Sequence, residues 1–190
     1  TVTFTATDEC GNTSTCTQVI TIDDTTPPEI TCPVGFTVQC IEDVPACNPD
    51  DATATDNCIE ETVTCSQGPV VGTECGGTIT NTYTATDACG NTSTCTQVIT
   101  IDDTIPPEIT CPADFSVQCI EDVPTCNPDD ATATDNCVEV TVTCSQGPLV
   151  GTQCGGTITN TYTATDGCGN TVTCTHVITI DDTTPPEITC

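Results

Sequence analysis

Polar and apolar residues alternate along the chain, and this alternation predicts β-strands. The longest alternating stretch is residues 78–86, and residues 94–101 form a second one after the turn at 87–91. A period of two places successive side chains on opposite faces of a strand. No stretch shows the 3.6-residue period of a helix, so the sequence predicts an all-β protein. Shorter predicted strands cover residues 36–40, 52–55 and 61–65.

The sequence repeats itself with an offset of 79 residues, the separation of Cys32 from Cys111. Residues 25–103 and 104–182 are identical at 67 of 79 positions. About seven short strands per repeat, separated by turns, predict tandem immunoglobulin-like β-sandwiches. The predicted segments are the C-terminal part of a preceding repeat (1–26), two full repeats (27–103 and 106–182) and the first strand of a following repeat (183–190).

Each full repeat begins with two consecutive prolines, at 27–28 and 106–107. Proline fixes φ and lacks an N–H group, so a proline pair favours a stiff and extended connector. The connector is only about four residues long, and neighbouring repeats must therefore lie very close together. The sequence thus predicts a rod-like array.

The composition excludes several classes of function. The chain has 28 acidic residues, no lysine or arginine, and a formal net charge of −28. Without basic side chains it cannot neutralise phosphates, so no nucleic-acid partner is expected. No apolar run approaches the roughly 18 residues that a membrane span needs. Aromatic residues make up 3% of the chain and cysteines 19 of its 190 residues, which is typical of disulfide-stapled domains that are secreted or displayed at the cell surface.

Four motifs of the repeat carry a resemblance to a known family. They are Pro-Pro-Glu-Ile-Thr-Cys-Pro at 27–33, Thr-Asp-Asn-Cys at 55–58, Thr-Tyr-Thr-Ala-Thr-Asp-Ala-Cys-Gly-Asn-Thr-Ser-Thr-Cys at 82–95, and Val-Ile-Thr-Ile-Asp-Asp at 98–103. The chain resembles the HYR-type immunoglobulin-like repeats strung in tandem in large secreted adhesins and surface filaments of Bacteroidota and related bacteria. The resemblance implies an immunoglobulin-like fold and a structural role in an extracellular filament or adhesin stalk. The expected partners are flanking identical repeats and neighbouring filament chains.

Each full repeat contains eight cysteines, which we expect to form disulfides because the CxxC spacing of thiolate metal sites is absent. The first and last strands of an immunoglobulin-like sandwich are neighbours, which favours Cys32–Cys95, and the resemblance implies the same bond. Loops at one end of the sandwich and short local loops bring the other six cysteines together. The remaining predicted pairs are Cys58–Cys89, Cys40–Cys47 and Cys65–Cys75, with Cys111–Cys174, Cys137–Cys168, Cys119–Cys126 and Cys144–Cys154 in the second repeat, while Cys10, Cys16 and Cys190 are expected to pair with flanking repeats.

Acidic residues cluster where one predicted repeat meets the next. An Asp pair ends the last strand, and loops carrying Thr-Asp-Asn and Asp-x-Cys-Gly-Asn open the following repeat. No basic residue can neutralise this cluster, and carboxylate and amide oxygens are ligands that suit Ca²⁺. We therefore predict calcium ions that stiffen the array between repeats, although the same motifs also form turns. The predicted ligands are Asp102, Asp103, Asp135, Asn136 and Asp166 between the two full repeats, Asp23, Asp24, Asp56, Asn57 and Asp87 before the first, and Asp181 and Asp182 after the second, with Asn91 and Asn170 as ligands or turn formers.

The sequence is less compatible with two other classes of function. A ligand- or glycan-binding adhesive module would present aromatic side chains in its loops, whereas Tyr83 and Tyr162 lie in predicted strands. An enzyme is not expected, because the paired acids lack pocket-forming aromatics and no general base adjoins a nucleophile. The one histidine, His176, stands where the first repeat has Gln97, so we predict an exposed strand residue without a catalytic role.

Overall fold

The computed structural model describes residues 1–58 and 60–189. Within them the protein consists of strands and four single-turn 3-10 helices, which confirms the predicted all-β class. None of these described helices has the length and apolar character needed to cross a membrane. The helices cover Ile41–Asp43, Pro49–Asp51, Ile120–Asp122 and Pro128–Asp130. The strands are β1 (Val2–Thr7), β2 (Thr13–Gln18), β3 (Glu29–Thr31), β4 (Phe36–Val38), β5 (Thr53–Thr55), β6 (Thr62–Gln67), β7 (Val71–Thr73), β8 (Gly76–Thr86), β9 (Thr92–Ile101), β10 (Glu108–Thr110), β11 (Phe115–Val117), β12 (Thr132–Thr134), β13 (Thr141–Gln146), β14 (Val150–Thr152), β15 (Gly155–Thr165) and β16 (Thr171–Asp181).

The chain divides into two compact units whose boundary does not follow the sequence repeats. The second unit contains the second repeat together with three segments of the first repeat. The first unit comprises Thr1–Pro33, Cys47–Ser66 and Asn81–Gln97, and the second comprises Val34–Ala46, Gln67–Thr80 and Val98–Cys190.

In the second unit, the second repeat forms two sheets. Strands β10 and β12 pair in a two-stranded antiparallel sheet. The larger sheet has the strand order β11-β16-β15-β13, with β14 also paired to β15. Strands β11 and β16 run parallel, and the other pairs in this sheet are antiparallel. Cys111, directly after β10, is bonded to Cys174 in β16, so a disulfide joins the two sheets as in an immunoglobulin-like sandwich.

The core of the second repeat lies on one face of the β15–β16 hairpin. Buried side chains occupy alternate positions, with Ile158, Tyr162 and Ala164 in β15 and Ile178 and Ile180 in β16. The alternation that predicts the strands is therefore also their burial pattern. Threonines occupy most of the intervening positions and are at least partly exposed. Such a core is thin, which explains why the fold needs covalent staples.

The first repeat contains the same strands at the repeat offset. In the first unit, β3 pairs with β5, and β1 pairs with β2 in a separate hairpin. In the second unit, β4 runs parallel to the end of β9, and β7 pairs with the beginning of β8. Among the described residues of the first repeat, the fully buried apolar side chains are Tyr83 and Ala85 in the first unit, and Ile99 and Ile101 in the second.

His176 is buried, and the prediction that it is exposed is wrong. Its side chain is 4% exposed, and its ring centroid lies 5.2 Å from that of Phe115. Position 176 is on the same face of β16 as the core isoleucines, so the period of the strand directs it inward. Neither ring nitrogen has a hydrogen-bond partner among the described residues. At the corresponding position of the first unit, Gln97 Oε1 accepts hydrogen bonds from Asn81 Nδ2 (3.1 Å) and Tyr83 Oη (3.3 Å).

Candidate functional site at the joint between repeats

Each repeat is stapled internally by two disulfides. In the first unit Cys32 is bonded to Cys95, the pair that strand order favours and the resemblance implies. The equivalent bond in the second repeat is Cys111–Cys174. Both bonds connect the small sheet to the large one. The second internal bond of each repeat joins residues 18 apart, Cys47 to Cys65 and Cys126 to Cys144.

Two further disulfides cross from one repeat to the next. Cys40 is bonded to Cys137 and Cys75 to Cys168, and all four residues belong to the second unit. Their Cα atoms are 5.1 and 5.0 Å apart, which is usual for disulfides. The end of the first repeat is therefore fixed covalently at two points to the beginning of the second. We call this region the joint; it comprises these four cysteines with Asp103, Asp135 and Asn170.

The cross-repeat bonds correct the predicted disulfide pattern. The prediction gives every cysteine of a full repeat a partner in its own repeat, because it treats one sandwich at a time. In the structure, cysteines at the far end of one sandwich lie beside cysteines at the near end of the next and bond to those instead. The predicted pairs that the structure replaces are Cys40–Cys47, Cys65–Cys75, Cys137–Cys168, Cys119–Cys126 and Cys144–Cys154, and Cys58 and Cys89 are unbonded rather than paired with each other.

The loop between β15 and β16, which faces the joint, is organised by its own side chains. Asp166 Oδ1 accepts hydrogen bonds from the N–H groups of Cys168 (2.8 Å) and Asn170 (2.9 Å), and Oδ2 accepts one from Asn170 Nδ2 (2.9 Å). Gly169 has a φ of 92°, a left-handed conformation that only glycine adopts readily. The side-chain nitrogen of Asn170 also donates to the backbone oxygen of Asp103 at 3.1 Å. Asp166 and Asn170 therefore shape the loop and tie it to the preceding repeat.

Hydrogen bonds in these loops lower the pKa of their aspartates. In the first unit, Asn91 Nδ2 donates to Asp87 Oδ2 at 2.8 Å and is the main reason that the pKa of Asp87 lies below its usual 3.8. Burial raises the pKa of Asp166, but the side chain and N–H of Asn170 and two further N–H groups outweigh it, and the net shift is downward. Because both pKa values are lower in the folded protein, these loops stabilise the fold above about pH 4. That contribution is lost as the pH falls through the lowered values.

Asp103 and Asp135 bring two carboxylates together at the joint. One oxygen of each lies within 4.8 Å of the other and of Cys137 Sγ, and Asp103 is 5% exposed. Asp103 Oδ1 accepts a hydrogen bond from the N–H of Ile105 (3.2 Å), and Asp135 Oδ2 accepts one from the N–H of Cys137 (2.9 Å). The remaining oxygens, Asp103 Oδ2 and Asp135 Oδ1, are buried without a hydrogen-bond partner among the described residues. Since the chain has no lysine or arginine, a cation from solution would compensate this charge.

The first unit repeats this arrangement. Asp24, Asp56 and Cys58 place one ligand atom each within 4.8 Å of one another. Asn91 Nδ2 donates to the backbone oxygen of Asp24 at 3.0 Å, as Asn170 does to Asp103 in the joint. Cys58 is a free thiol here, and its pKa is raised by desolvation and by the carboxylate of Asp24. At neutral pH the thiol therefore keeps its proton and is a poor ligand for a hard cation.

The other predicted calcium ligands are not brought into the carboxylate pair. Asn136 directs its side-chain nitrogen at Cys137 Sγ (2.7 Å) and Cys40 Sγ (3.2 Å), and Asn57 directs its own at Cys58 Sγ (2.9 Å). Amide nitrogens are donors and do not coordinate cations. Four predicted ligands are exposed on the surface: Asp23, Asp102, Asp181 and Asp182.

Glu108 is a further candidate ligand, outside the set that the sequence predicts. It lines a cavity of about 260 Å³ together with Pro106, Asp135 and Asn136. Its counterpart in the first unit, Glu29, lines a similar cavity of about 380 Å³ beside Asp56. The sequence feature that could have identified both glutamates is their position, because each directly follows the proline pair that leads into its repeat.

Comparison with known proteins defines the class of the repeat. Residues 28–101, which make up most of the first repeat, match the family described as a HYR-like domain with 4 cysteines. Over 206 aligned residues the whole chain is 36% identical to hyalin from the animal Lytechinus variegatus, and it spans 38% of that protein. The bacterial origin that the resemblance implies has no support in these comparisons.

One solved structure with a partly similar course of the chain is the crystal structure of Drosophila N-cadherin EC1-4. It is 12% identical, covers 82% of this chain and 50% of the cadherin chain, and has a TM-score of 0.37. A TM-score this low supports no conclusion about the present protein.

Proposed function

We propose that the chain is a structural segment of an extracellular filament or adhesin stalk, with joints fixed by disulfides and closed by calcium. The observation that carries the proposal is the pair of bonds Cys40–Cys137 and Cys75–Cys168. A single covalent link would leave the two repeats free to rotate about it, whereas two links oppose both rotation and bending. Such reinforcement is useful where force passes along the chain, and this role involves no catalysis.

The extracellular location rests on the six disulfides among the described residues, because such bonds persist in oxidising compartments. The HYR-type match and the identity with hyalin support a structural or adhesive module. Since the chain spans 38% of hyalin, we carry over no activity or partner of that whole protein. An origin in bacteria is not part of the proposal.

The alternative function, a glycan-binding adhesive repeat, is less well supported. Stacking of an aromatic side chain on a sugar ring requires an exposed ring face. Tyr83 and Tyr162 are both 0% exposed, so neither can serve as such a platform. This observation favours the structural role over recognition of a host or surface glycan through tyrosine.

We further propose that Ca²⁺ binds between Asp103 and Asp135. Both carboxylates have a buried oxygen without a protein donor, and oxygen ligands suit Ca²⁺ better than zinc or copper. Cys137 is bonded to Cys40 and therefore offers no thiolate. Glu108, in the adjoining cavity, is a further oxygen donor. A site with so few protein ligands is weak, and we expect a Kd of about 10⁻⁴ to 10⁻³ M, as in other extracellular modules.

Asp135→Asn is expected to abolish calcium binding at the joint. At a hundredfold excess over Kd, Ca²⁺ should raise the free energy of unfolding of the parent chain by about 2.7 kcal/mol, and the variant should lose this gain. Urea unfolding with Ca²⁺ and with EDTA measures the difference, and titration calorimetry counts the sites. Asp129→Asn, an equal charge change at an exposed position, serves as the control. Equal calcium stabilisation in both variants would show that the carboxylates are only a solvated surface.

Electron microscopy of the native, unreduced protein tests the structural role directly. We expect extended, beaded fibres whose persistence length falls after reduction, because reduction removes the bonds across each joint. Removing calcium with EDTA should cause a smaller fall while the repeats stay folded. A compact particle, or a fibre whose stiffness does not respond to reduction, would contradict the proposed stalk.

A further inference from the structure

Six cysteines are free among the described residues, and four of them, which belong to the two full repeats, correspond to cysteines that are bonded in the joint. At the repeat offset of 79 residues, Cys119 and Cys154 correspond to Cys40 and Cys75. By the same offset, Cys58 and Cys89 correspond to Cys137 and Cys168. Each set of two free cysteines therefore corresponds to one side of the joint, and its bonding partners would belong to the other side. We call Cys119 with Cys154 the donor half-joint, and Cys58 with Cys89 the acceptor half-joint.

The donor half-joint has the two cysteines side by side at the end of β16. Val117, two residues before Cys119, pairs with Ile180, and Gly155, next to Cys154, pairs with Asp181. The N–H of Asp182 donates to the backbone oxygen of Cys154 at 3.3 Å. The pKa of the Cys119 thiol is raised, chiefly by desolvation and then by nearby carboxylates, with Cys154 also contributing. The two thiols are therefore neighbours and both are exposed.

The acceptor half-joint already has the geometry of a complete joint. Asp24, Asp56 and Cys58 form the same three-residue group as Asp103, Asp135 and Cys137. The hydrogen bond from Asn91 Nδ2 to the backbone oxygen of Asp24 measures 3.0 Å, against 3.1 Å for its counterpart in the joint. Among the described residues, Cys58 and Cys89 have no partner cysteines. The half-joint is thus preorganised for the same pair of bonds.

We propose that each half-joint is completed by a further repeat of the same type, stacked head to tail. Cys119 then bonds to the cysteine that corresponds to Cys58 in that repeat, and Cys154 to the one that corresponds to Cys89. The acceptor half-joint receives the counterparts of Cys40 and Cys75 in the same way. The rule is general: every repeat donates two bonds at one end and accepts two at the other, which makes the array a continuously cross-linked ladder.

Each new bond is an oxidation that needs an acceptor for two electrons. The two thiols lose two protons and two electrons as the S–S bond forms, and a small-molecule disulfide such as oxidised glutathione takes them up and becomes two thiols. The raised pKa of Cys58 and Cys119 slows attack by these thiols. Juxtaposition by the neighbouring repeat compensates for this, because a bond within one assembly benefits from a high effective concentration.

The test is to lengthen the chain by one repeat of its own sequence. Residues 33–111 are appended after Cys190, and the protein is oxidised with a glutathione mixture. Free thiols are first blocked, and the protein is then digested with pepsin at low pH, where thiol–disulfide exchange is slow. The peptides are then mapped. The appended copy carries Ile59→Val as a mass marker, so its Cys58 peptide differs from the parent Cys58 peptide, with Ile59 and Glu61, and from the Cys137 peptide, with Val138 and Val140. A Cys119 peptide bonded to the marked peptide is therefore unique. A non-reducing gel must show a monomer, which excludes a bond to another molecule.

In the 190-residue chain Cys119 and Cys154 should be alkylated, and in the lengthened chain both should be protected at least tenfold. Cys119→Ser in the lengthened chain should expose the copied Cys58 to alkylation and leave Cys154 protected. If Cys119 and Cys154 instead bond to each other, this substitution exposes Cys154 and the inference fails. Cys119 remaining reactive in the lengthened chain would overturn it equally.

This inference rests on the proposed structural role. The disulfide peptide map shows separately whether the ladder fails and whether the structural role fails. A Cys40–Cys137 peptide that is present while Cys119 stays unbonded would refute the ladder but leave the joint intact. Loss of the Cys40–Cys137 peptide itself would remove the observation on which the proposed function depends.

Discussion

Removal of both cross-repeat disulfides is expected to lower the free energy of unfolding by roughly 9 kcal/mol. The change is Cys40→Ala with Cys137→Ala, combined with Cys75→Ala and Cys168→Ala. These bonds join residues 97 and 93 apart, and loops of such length make an unfolded chain much more compact when closed. Each single bond should account for about half of the loss. We also expect the two repeats to unfold separately, because the variant has lost both disulfides that link one repeat to the other.

The two tyrosines allow this prediction to be measured repeat by repeat. Tyr83 and Tyr162 are both fully buried, one in each repeat, and the chain has no tryptophan to obscure them. Replacing one tyrosine with phenylalanine leaves the fluorescence of the other as a local probe of urea unfolding. The matched control is Cys47→Ala with Cys65→Ala, which opens a loop of 18 residues within one repeat. That variant should lose about 3 kcal/mol without uncoupling the repeats. Coincident transitions in the cross-repeat variant would contradict a joint held by its disulfides.

His176→Gln is expected to stabilise the second repeat by about 1–2 kcal/mol. His176 is buried with neither ring nitrogen bonded among the described residues, and an unsatisfied buried polar group is costly. In the first repeat, Gln97 at the same position accepts two hydrogen bonds. The substitution gives the second repeat the glutamine to which Asn81 and Tyr83 donate in the first, and Asn160 and Tyr162 hold the corresponding positions. Part of the gain is offset, because the contact between His176 and Phe115 is lost.

The reciprocal change provides the control, since Gln97→His should destabilise the first repeat by a similar amount. Urea midpoints reported by Tyr162 for the first variant and by Tyr83 for the second give both numbers. A His176→Gln variant that is less stable than the parent would mean that the packing of the imidazole against Phe115 outweighs its unpaired nitrogens. Equal stability would mean that the two effects cancel, and the prediction would fail in either case.

Alternation and turn chemistry are local properties, and they made the strands predictable. The predicted strand at 78–86 lies within β8, and that at 94–101 lies within β9, because a period of two leaves few alternatives for residues such as Tyr83 and Ile99. Burial of His176 follows from the same period. The prediction that His176 is exposed rests on the glutamine at the same position of the first repeat. The identity of that residue does not indicate which face of the strand the position occupies.

The candidate site was only partly predictable, because the local sequence does not fix which carboxylates meet in space. The sequence contains an acidic cluster without basic residues, and the structure pairs Asp103 with Asp135 from it. The sequence alone could not show that the carboxylate oxygens of Asp166 accept hydrogen bonds within its own loop. The motif Asp-x-Cys-Gly-Asn is compatible both with a turn and with a metal ligand. Glu108 was missed because its distance from Asp135 depends on how the chain enters the second repeat.

The sequence by itself determined the all-β class, the repeat, the presence of structural disulfides and the bond Cys32–Cys95. Each follows from local pattern, from composition, or from the fixed neighbourhood of first and last strands in one sandwich. The cross-repeat bonds Cys40–Cys137 and Cys75–Cys168 were decided by the tertiary structure alone. The sequence allows all eight cysteines of a repeat to pair within that repeat, and their spacing favours disulfides that close short loops. Packing one sandwich end against another instead places cysteines more than 90 residues apart at bonding distance, and proximity in space decides which thiols meet.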